Sequence, residues 1–163
     1  MAELENVEKK PLSAEGLKNY EDELNYLKVT RREEVAEKIK EAREQGDLSE
    51  NAEYDAAKEE QKEIEARIFE IENILKNSYV VDKKDLKKGV VNIGCKVKLL
   101  DEKHDEEIEY TIVGATEADS LNGKISNESP LGKALMGKKK DDVVVLESIK
   151  GKPEYKVLKV SSV

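Results

Sequence analysis

The chain has 163 residues, of which 40% are charged and only 4% are aromatic, with one Phe and no Trp. A compact globular domain buries more large apolar side chains than this, so the composition favours a partly elongated fold. Asp and Glu outnumber Lys and Arg by 37 to 29, mostly in the first half of the chain. This balance argues against an ordinary duplex-DNA binder, so any DNA-binding or RNA-binding role must be local or must work through a protein partner.

The single cysteine, Cys95, excludes an internal disulfide and a cysteine-rich zinc site. No stretch approaches the roughly 20 apolar residues that a membrane-spanning helix needs. The first residues also lack the apolar segment of a secretion signal. These observations predict a cytoplasmic protein without a membrane partner.

Residues 13–77 show the periodicity of two long helices. Ser13 is the predicted N-cap of the first helix, which runs to about Gln45, and Gly46 has the position of a helix-ending glycine. In the second helix the apolar residues recur at alternating steps of three and four, which predicts a heptad seam between two antiparallel helices. The seam positions are Leu17, Tyr20, Leu24, Leu27, Arg31, Val35, Ile39 and Ala42, then Tyr54, Ala57, Gln61, Ile64, Ile68, Ile71 and Leu75.

Beyond Asn77 the chain changes to short stretches rich in β-branched residues. The predicted strands lie at 79–81, 90–100, 108–113, 143–149 and 155–160, and one short helix is predicted at 130–137. We therefore predict an α+β protein with two domains. A coiled-coil hairpin domain occupies 1–79, with an acidic tip at about 46–51, and a β-rich, antiparallel domain occupies 80–163.

Two acids at the tip, Asp47 and Glu50, are three residues apart at the predicted start of the second helix. In a structural interpretation, Asp47 is the N-cap and Glu50 its reciprocal partner in a capping box. In a functional interpretation, the two carboxylates share one helix face and bind Mg²⁺, which accepts one or two carboxylates together with waters and phosphate oxygens. The two interpretations are compatible, because one Asp can cap a helix and coordinate an ion.

The run AREQGDLSENAEYDAAKEEQ, which contains the tip, resembles the tip signature of the GreA/GreB transcript-cleavage factors. Further similar segments follow the family's order from Leu12 to Val160: LSAEGLKNYEDEL, VVNIGCKVKLLD, YTIVGATEAD, GKISNESPLGKALMGKKKDD and YKVLKV. The resemblance implies an N-terminal coiled-coil hairpin followed by a C-terminal domain resembling the FK506-binding-protein fold. The short connection between the helices is more similar to the GreA branch of the family than to the GreB branch.

The resemblance also implies a function. It implies a transcription elongation factor that binds bacterial RNA polymerase, inserts its tip through the secondary channel and stimulates the polymerase's own cleavage of backtracked RNA 3′ ends. Such a factor is not itself an enzyme, has no small-molecule substrate and holds no cofactor when free. By position, Asp47 and Glu50 match the family's catalytic tip acids, which help the polymerase bind its second Mg²⁺ and orient the attacking water.

Other residues take their expected roles from the same resemblance. The basic residues beside the tip, Arg43 and Lys58, are expected to contact the RNA. Three neighbouring residues, Ser49, Asn51 and Tyr54, are expected to support the tip. In the second domain, the segment Glu128, Ser129 and Pro130 is expected to dock on the polymerase.

Two alternatives remain at this stage. Asp55 and Gln45 stand where histidines are common in the family, and some relatives keep the fold but occupy the channel and inhibit the polymerase without cleavage. A peptidyl-prolyl isomerase is the other alternative. An isomerase of this kind needs an aromatic pocket for proline. The composition argues against this alternative, because residues 80–163 contain no Phe or Trp and only Tyr110 and Tyr155.

Overall fold

A computed structural model describes residues 8–46, 51–82, 84 and 86–162. It divides into a hairpin unit, Lys18–Lys76, and a β-rich unit that combines Met1–Leu17 with Asn77–Val163. The α+β class, with a helical hairpin before a β-rich part, is confirmed. The division differs from the predicted domains at 1–79 and 80–163, because the start of the chain groups with the β-rich unit.

The start of the chain groups in this way because it pairs with the segment that follows the hairpin. Strand β1 (Lys10–Leu12) lies parallel to strand β2 (Ser78–Val80), and Leu12 is only 1% exposed. The Lys10 N–H extends this pairing by donating to the Asn77 carbonyl at 2.9 Å. Strands of three residues are too short to show an alternating pattern, so sequence periodicity did not predict β1.

Among the described residues of the hairpin there are three α-helices, and a π turn joins the first two. They are α1 (Ala14–Tyr26), the π turn (Leu27–Arg31), α2 (Arg32–Glu44) and α3 (Ala52–Lys76). Ser13 is confirmed as the N-cap of α1, because its Oγ accepts from the Gly16 N–H at 2.9 Å. Gly46 is confirmed as the glycine that follows the C-cap Gln45. Its φ of +123° is a backbone conformation that residues with a side chain rarely adopt.

The π turn has a simple origin in the sequence. The predicted seam contains three successive steps of four residues, from Leu27 to Arg31, Val35 and Ile39. In an α-helix of 3.6 residues per turn, each such step overshoots by about 40°. The wider π turn, closed by the Arg32 N–H on the Leu27 carbonyl, absorbs this offset. Val35 and Ile39 consequently pack in one core with Ala57, Ile64 and Ile68.

Ion pairs connect the two arms on either side of this seam. Arg32 binds Glu65 through two hydrogen bonds of 2.7 and 2.8 Å. Glu60 accepts from Lys38 at 3.0 Å and also from Arg31. Arg31 additionally pairs with Glu34, three residues later on the same arm. The pairing order, with later residues of α2 facing earlier residues of α3, confirms that the arms are antiparallel.

These ion pairs predict a loss of hairpin stability in acid. Lys38 and then Arg31 lower the pKa of Glu60, and Arg32 lowers the pKa of Glu65, below the ordinary value of 4.5. Because the pKa is lower in the folded state, the stabilisation is complete above the unfolded pKa and disappears as the pH falls through the folded pKa. We expect the melting temperature of the hairpin, measured by circular dichroism, to decrease as the pH is lowered below about 4.5. In a Glu60→Gln, Glu65→Gln variant the melting temperature should depend less on pH. If it depends on pH as strongly as in the unmodified protein, these two ion pairs are not the cause of the acid destabilisation.

The described part of the β-rich unit contains a five-stranded sheet and one short α-helix. The elements are β3 (Cys95–Asp101), β4 (Glu106–Val113), β5 (Lys124–Ser126), α4 (Pro130–Leu135), β6 (Val143–Val145) and β7 (Glu154–Ser162). The strand order in the sheet is β5-β4-β3-β7-β6. All neighbours are antiparallel except β4 and β5, which are parallel, in contrast to the fully antiparallel prediction. The core residues are Val91, Ile93, Val97, Leu99, Ile112, Leu135, Val144 and Val157.

Two of the predicted strands are shorter in the structure. β3 begins at Cys95 rather than at residue 90, because Gly94 adopts a φ of +89° and turns the chain. β6 ends at Val145, and the predicted strand at 79–81 pairs with β1 instead of joining the large sheet. Within the described ranges, no helix is both long and apolar enough to cross a membrane.

Candidate functional site at the tip of the hairpin

The tip is bounded by the end of α2 and the start of α3. The predicted catalytic and metal-binding residues Asp47 and Glu50, and the predicted support residue Ser49, lie outside the described residues. The site is therefore defined by its two flanks, with Arg43 on α2 and with Asn51 and residues of the first two turns of α3 on the other side.

Asn51 caps helix α3. Its Oδ1 accepts from the Tyr54 N–H at 3.1 Å, and its carbonyl accepts from the Asp55 N–H at 3.1 Å. The prediction that Asp47 caps the second helix is therefore wrong for α3, which begins at Ala52. Asn caps a helix as well as Asp does, and its amide also carries a donor that a carboxylate lacks.

That donor links the two arms of the hairpin. The Nδ2 of Asn51 donates to the carbonyl of Ala42 at 2.6 Å. This carbonyl is one of the last four of α2, which have no partner within the helix. One side chain thus satisfies a free N–H of α3 and a free carbonyl of α2. The small residues Ala42 and Ala57, 3% and 4% exposed, fill the seam beside this bridge.

Arg43, Tyr54 and Lys58, which we call the basic face, lie along one side of the tip. The Arg43 guanidinium lies 5.8 Å from the centroid of the Tyr54 ring, within range of a cation–π interaction. Lys58 is four residues after Tyr54 and so shares its side of α3, where its Nζ lies 3.2 Å from the Gln61 Oε1. The structure therefore brings the two predicted RNA-contacting residues to the same side, with both exposed.

Asp55, one of the departures from the family pattern, lies in the first turn of α3. An exposed acid at this position interacts favourably with the positive end of the helix. In the described part of the chain, no three His, Cys, Asp or Glu side chains group as a metal site. The predicted Mg²⁺ ligands, Asp47 and Glu50, lie outside the described residues.

The predicted docking segment surrounds the start of α4. Ser129 caps this helix, since its Oγ accepts from the Gly132 N–H at 3.1 Å and donates to the Ser126 carbonyl at 2.6 Å. Glu128 and Pro130 are exposed, and the Glu128 carboxylate lies 3.7 Å from the Lys10 Nζ. Ser129 therefore shapes the segment, whereas Glu128 and Pro130 are available to a partner.

Replacing Ser129 with Ala should cost about 1 kcal/mol of stability, the usual effect of losing an N-cap. The Gly132 N–H would lose the Ser129 hydroxyl as its acceptor, whereas the Ser126 carbonyl would keep its hydrogen bond from the Ser129 N–H at 3.1 Å. Urea unfolding of the full chain measures the effect. Ser129→Thr keeps the hydroxyl and should restore most of the loss, and equal stability of the Ala and Thr variants would exclude a capping role.

Comparison with known proteins covers nearly the whole chain. Residues 10–80 match the family model "Transcription elongation factor, N-terminal", and residues 86–162 match "Transcription elongation factor, GreA/GreB, C-term". The transcription elongation factor GreA of Lachnoclostridium phytofermentans is 60% identical over 160 residues, covering 98% of each chain. That of Thermoanaerobacter pseudethanolicus is 58% identical over 149 residues, covering 91% of this chain and 95% of the relative.

A solved structure is also similar. The crystal structure of GreA factor homolog 1 (Gfh1) of Thermus thermophilus is 31% identical, covers 94% of this chain and 99% of that chain, and superposes with a TM-score of 0.43. The two family models together span both units, and the identity to curated relatives extends from one end to the other. The chain therefore belongs to the GreA/GreB family of transcription elongation factors.

Proposed function

We propose that this protein binds bacterial RNA polymerase in the cytoplasm, inserts its tip through the secondary channel and stimulates the polymerase's cleavage of backtracked RNA 3′ ends. The release of arrested complexes follows from that cleavage. The observation that best supports this proposal is the bridge made by Asn51. It ties the end of α2 to the start of α3, so the segment that carries Asp47 and Glu50 starts and ends at a fixed base.

The chemistry we propose for the tip is the presentation of two carboxylates. Asp47 and Glu50 would hold a Mg²⁺ ion shared with the polymerase and orient the attacking water. In phosphodiester hydrolysis a second metal ion stabilises the attacking and leaving oxygens. Mg²⁺ is suited to such sharing, because it binds one or two carboxylates and leaves positions for waters and phosphate oxygens. In this proposal the protein is not an enzyme and has no cofactor when free.

The basic face has a complementary role in the proposal. Arg43 and Lys58 are exposed cations on one side of the tip, and phosphate contacts of this kind position a nucleic acid without reading its sequence. The Tyr54 ring restricts the guanidinium of Arg43, to which it lies close. We propose that this face holds the RNA 3′ end beside the two carboxylates, and that Glu128 and Pro130 contact the polymerase.

A cleavage assay with a stalled, backtracked polymerase complex tests the proposal. We expect short 3′ RNA fragments only when polymerase, Mg²⁺ and this protein are all present, followed by renewed elongation. Slower nucleotide addition without fragments would identify the non-cleaving, inhibitory alternative. Cleavage by the protein alone would contradict the proposal that the nuclease belongs to the polymerase.

A further inference from the structure

The start of helix α1 lacks half of a capping box. Ser13 is the N-cap, and the residue three positions later, which supplies Glu or Gln in a capping box, is Gly16. Glu117 fills this role from a distant part of the chain. Its Oε2 accepts from the Ser13 N–H at 3.0 Å, and its Oε1 accepts from the Ser13 hydroxyl.

The Glu117 carboxylate is itself held in place by the β-rich unit. It lies in the short 3₁₀ turn Ala115–Glu117, and its Oε2 also accepts from the Gly114 N–H at 3.1 Å. Ser13 is only 8% exposed and Glu117 is half-buried, so these bonds are partly shielded from water. We call the contact of Glu117 with Ser13 and Gly114 the clamp.

Two glycines allow the clamp to form. A Cβ atom on Gly16 would lie 1.8 Å from the Glu117 Oε1, and a Cβ atom on Gly114 would lie 2.1 Å from the Pro11 carbonyl oxygen. Both distances are far below a van der Waals contact. The turn that carries Glu117 therefore packs directly on β1 and on the first turn of α1.

We propose that Glu117 is a positioning residue for stimulated cleavage, because it fixes the first turn of α1 to the 3₁₀ turn Ala115–Glu117. This inference rests on the proposed function, in which the polymerase holds the β-rich unit and the chemistry occurs at the tip. The helical run from Ala14 to Glu44 is about 45 Å long at 1.5 Å per residue, so a rotation of about 5° at its start moves its end by about 4 Å. A misplacement of about 1 Å can reduce a reaction roughly 100-fold.

The experiment separates the clamp from simple helix capping. Glu117→Ala removes both the clamp and the acceptor for the Ser13 N–H. The double variant Gly16→Glu, Glu117→Ala restores a local capping box, Ser13 with Glu at position 16, but not the link from Ser13 to the 3₁₀ turn Ala115–Glu117. The three closest atoms to a Cβ on Gly16 all belong to the Glu117 side chain, so Glu117→Ala removes the closest contacts of a side chain at position 16.

We expect Glu117→Ala to lower the rate of stimulated cleavage at saturating factor by roughly tenfold or more, which is about 1.4 kcal/mol. Its affinity for polymerase, measured by competition, should change little, because Glu128 and Pro130 are untouched. Hydrogen exchange of the Leu17 amide should be faster in the single variant and return toward normal in the double variant. Cleavage by the double variant should nevertheless stay low.

Each of the following outcomes would overturn the inference. Normal cleavage by Glu117→Ala would exclude any positioning role, and recovered cleavage by the double variant would show that Glu117 is only a helix cap. If Glu117→Ala does not fold, Glu117→Gln replaces it, and this variant must still lose cleavage without losing affinity. An unmodified protein that binds polymerase without stimulating cleavage would instead refute the proposed function, and with it this inference.

Discussion

The double replacement Asp47→Asn, Glu50→Gln is expected to reduce stimulated RNA cleavage by roughly 100-fold or more. Each tenfold corresponds to about 1.4 kcal/mol, and loss of the carboxylates that hold an ion in the transition state typically removes several kcal/mol. Neither amide can replace an anionic metal ligand. The measurement is the single-turnover cleavage rate of a backtracked polymerase complex at limiting Mg²⁺.

The same replacement should leave folding and polymerase binding nearly unchanged. The cap of α3 is Asn51 and not Asp47, so Asp47→Asn should not alter the melting temperature. Docking is proposed to depend on the β-rich unit around Glu128 and Pro130, far along the chain from these acids. Near-normal cleavage by Asp47→Asn at limiting Mg²⁺ would refute the metal-positioning role of Asp47.

The second large effect is expected at Asn51. Asn51→Asp retains a side-chain acceptor for the Tyr54 N–H, but it replaces the donor to the Ala42 carbonyl with an oxygen at the same 2.6 Å contact. The two oxygens repel, so the ends of α2 and α3 should separate at the tip. Because a shift of about 1 Å can cost roughly 100-fold, we expect a loss of cleavage between about tenfold and 100-fold at saturating factor.

Two further variants control for charge and for capping. Ala52→Asp adds the same charge at the next, exposed position without touching the bridge, and it should cleave almost normally. Asn51→Ala removes both hydrogen bonds, so it should also lose about 1 kcal/mol of helix stability. Equal cleavage by the Asn51→Asp and unmodified proteins would show that the bridge is not needed.

Both predictions depend on the same local arrangement. Asn51 links the end of α2 to the start of α3. Asp47 and Glu50, the two acids predicted from the family resemblance, belong to the segment between these two helices. An inhibitory relative would also need a stable hairpin, but its action would not depend on Asp47. Comparing Asp47→Asn with Asn51→Asp therefore separates the loss of a metal ligand from the loss of tip geometry.

The sequence by itself determined the elements whose signals are local. The heptad seam predicted the two arms, Ser13 and Gly46 marked the ends of the first, and the steps of four residues around Arg31 account for the π turn. Pro130 and Gly137 marked α4, and Gly137 has the φ of +79° that a helix-ending glycine adopts. Each of these features arises from residues within a few positions of one another, so their spacing is visible in the chain.

The tertiary structure decided the contacts between distant residues. The boundary of the β-rich unit depends on the pairing of β1 with β2, and the base of α1 depends on Glu117, which is 104 residues away from Ser13. At the tip, the N-cap of α3 is Asn51, whose amide also donates to the Ala42 carbonyl on the other arm. A capping pattern reports only the acceptor near one helix end, whereas the second hydrogen bond exists only after the two arms have packed together.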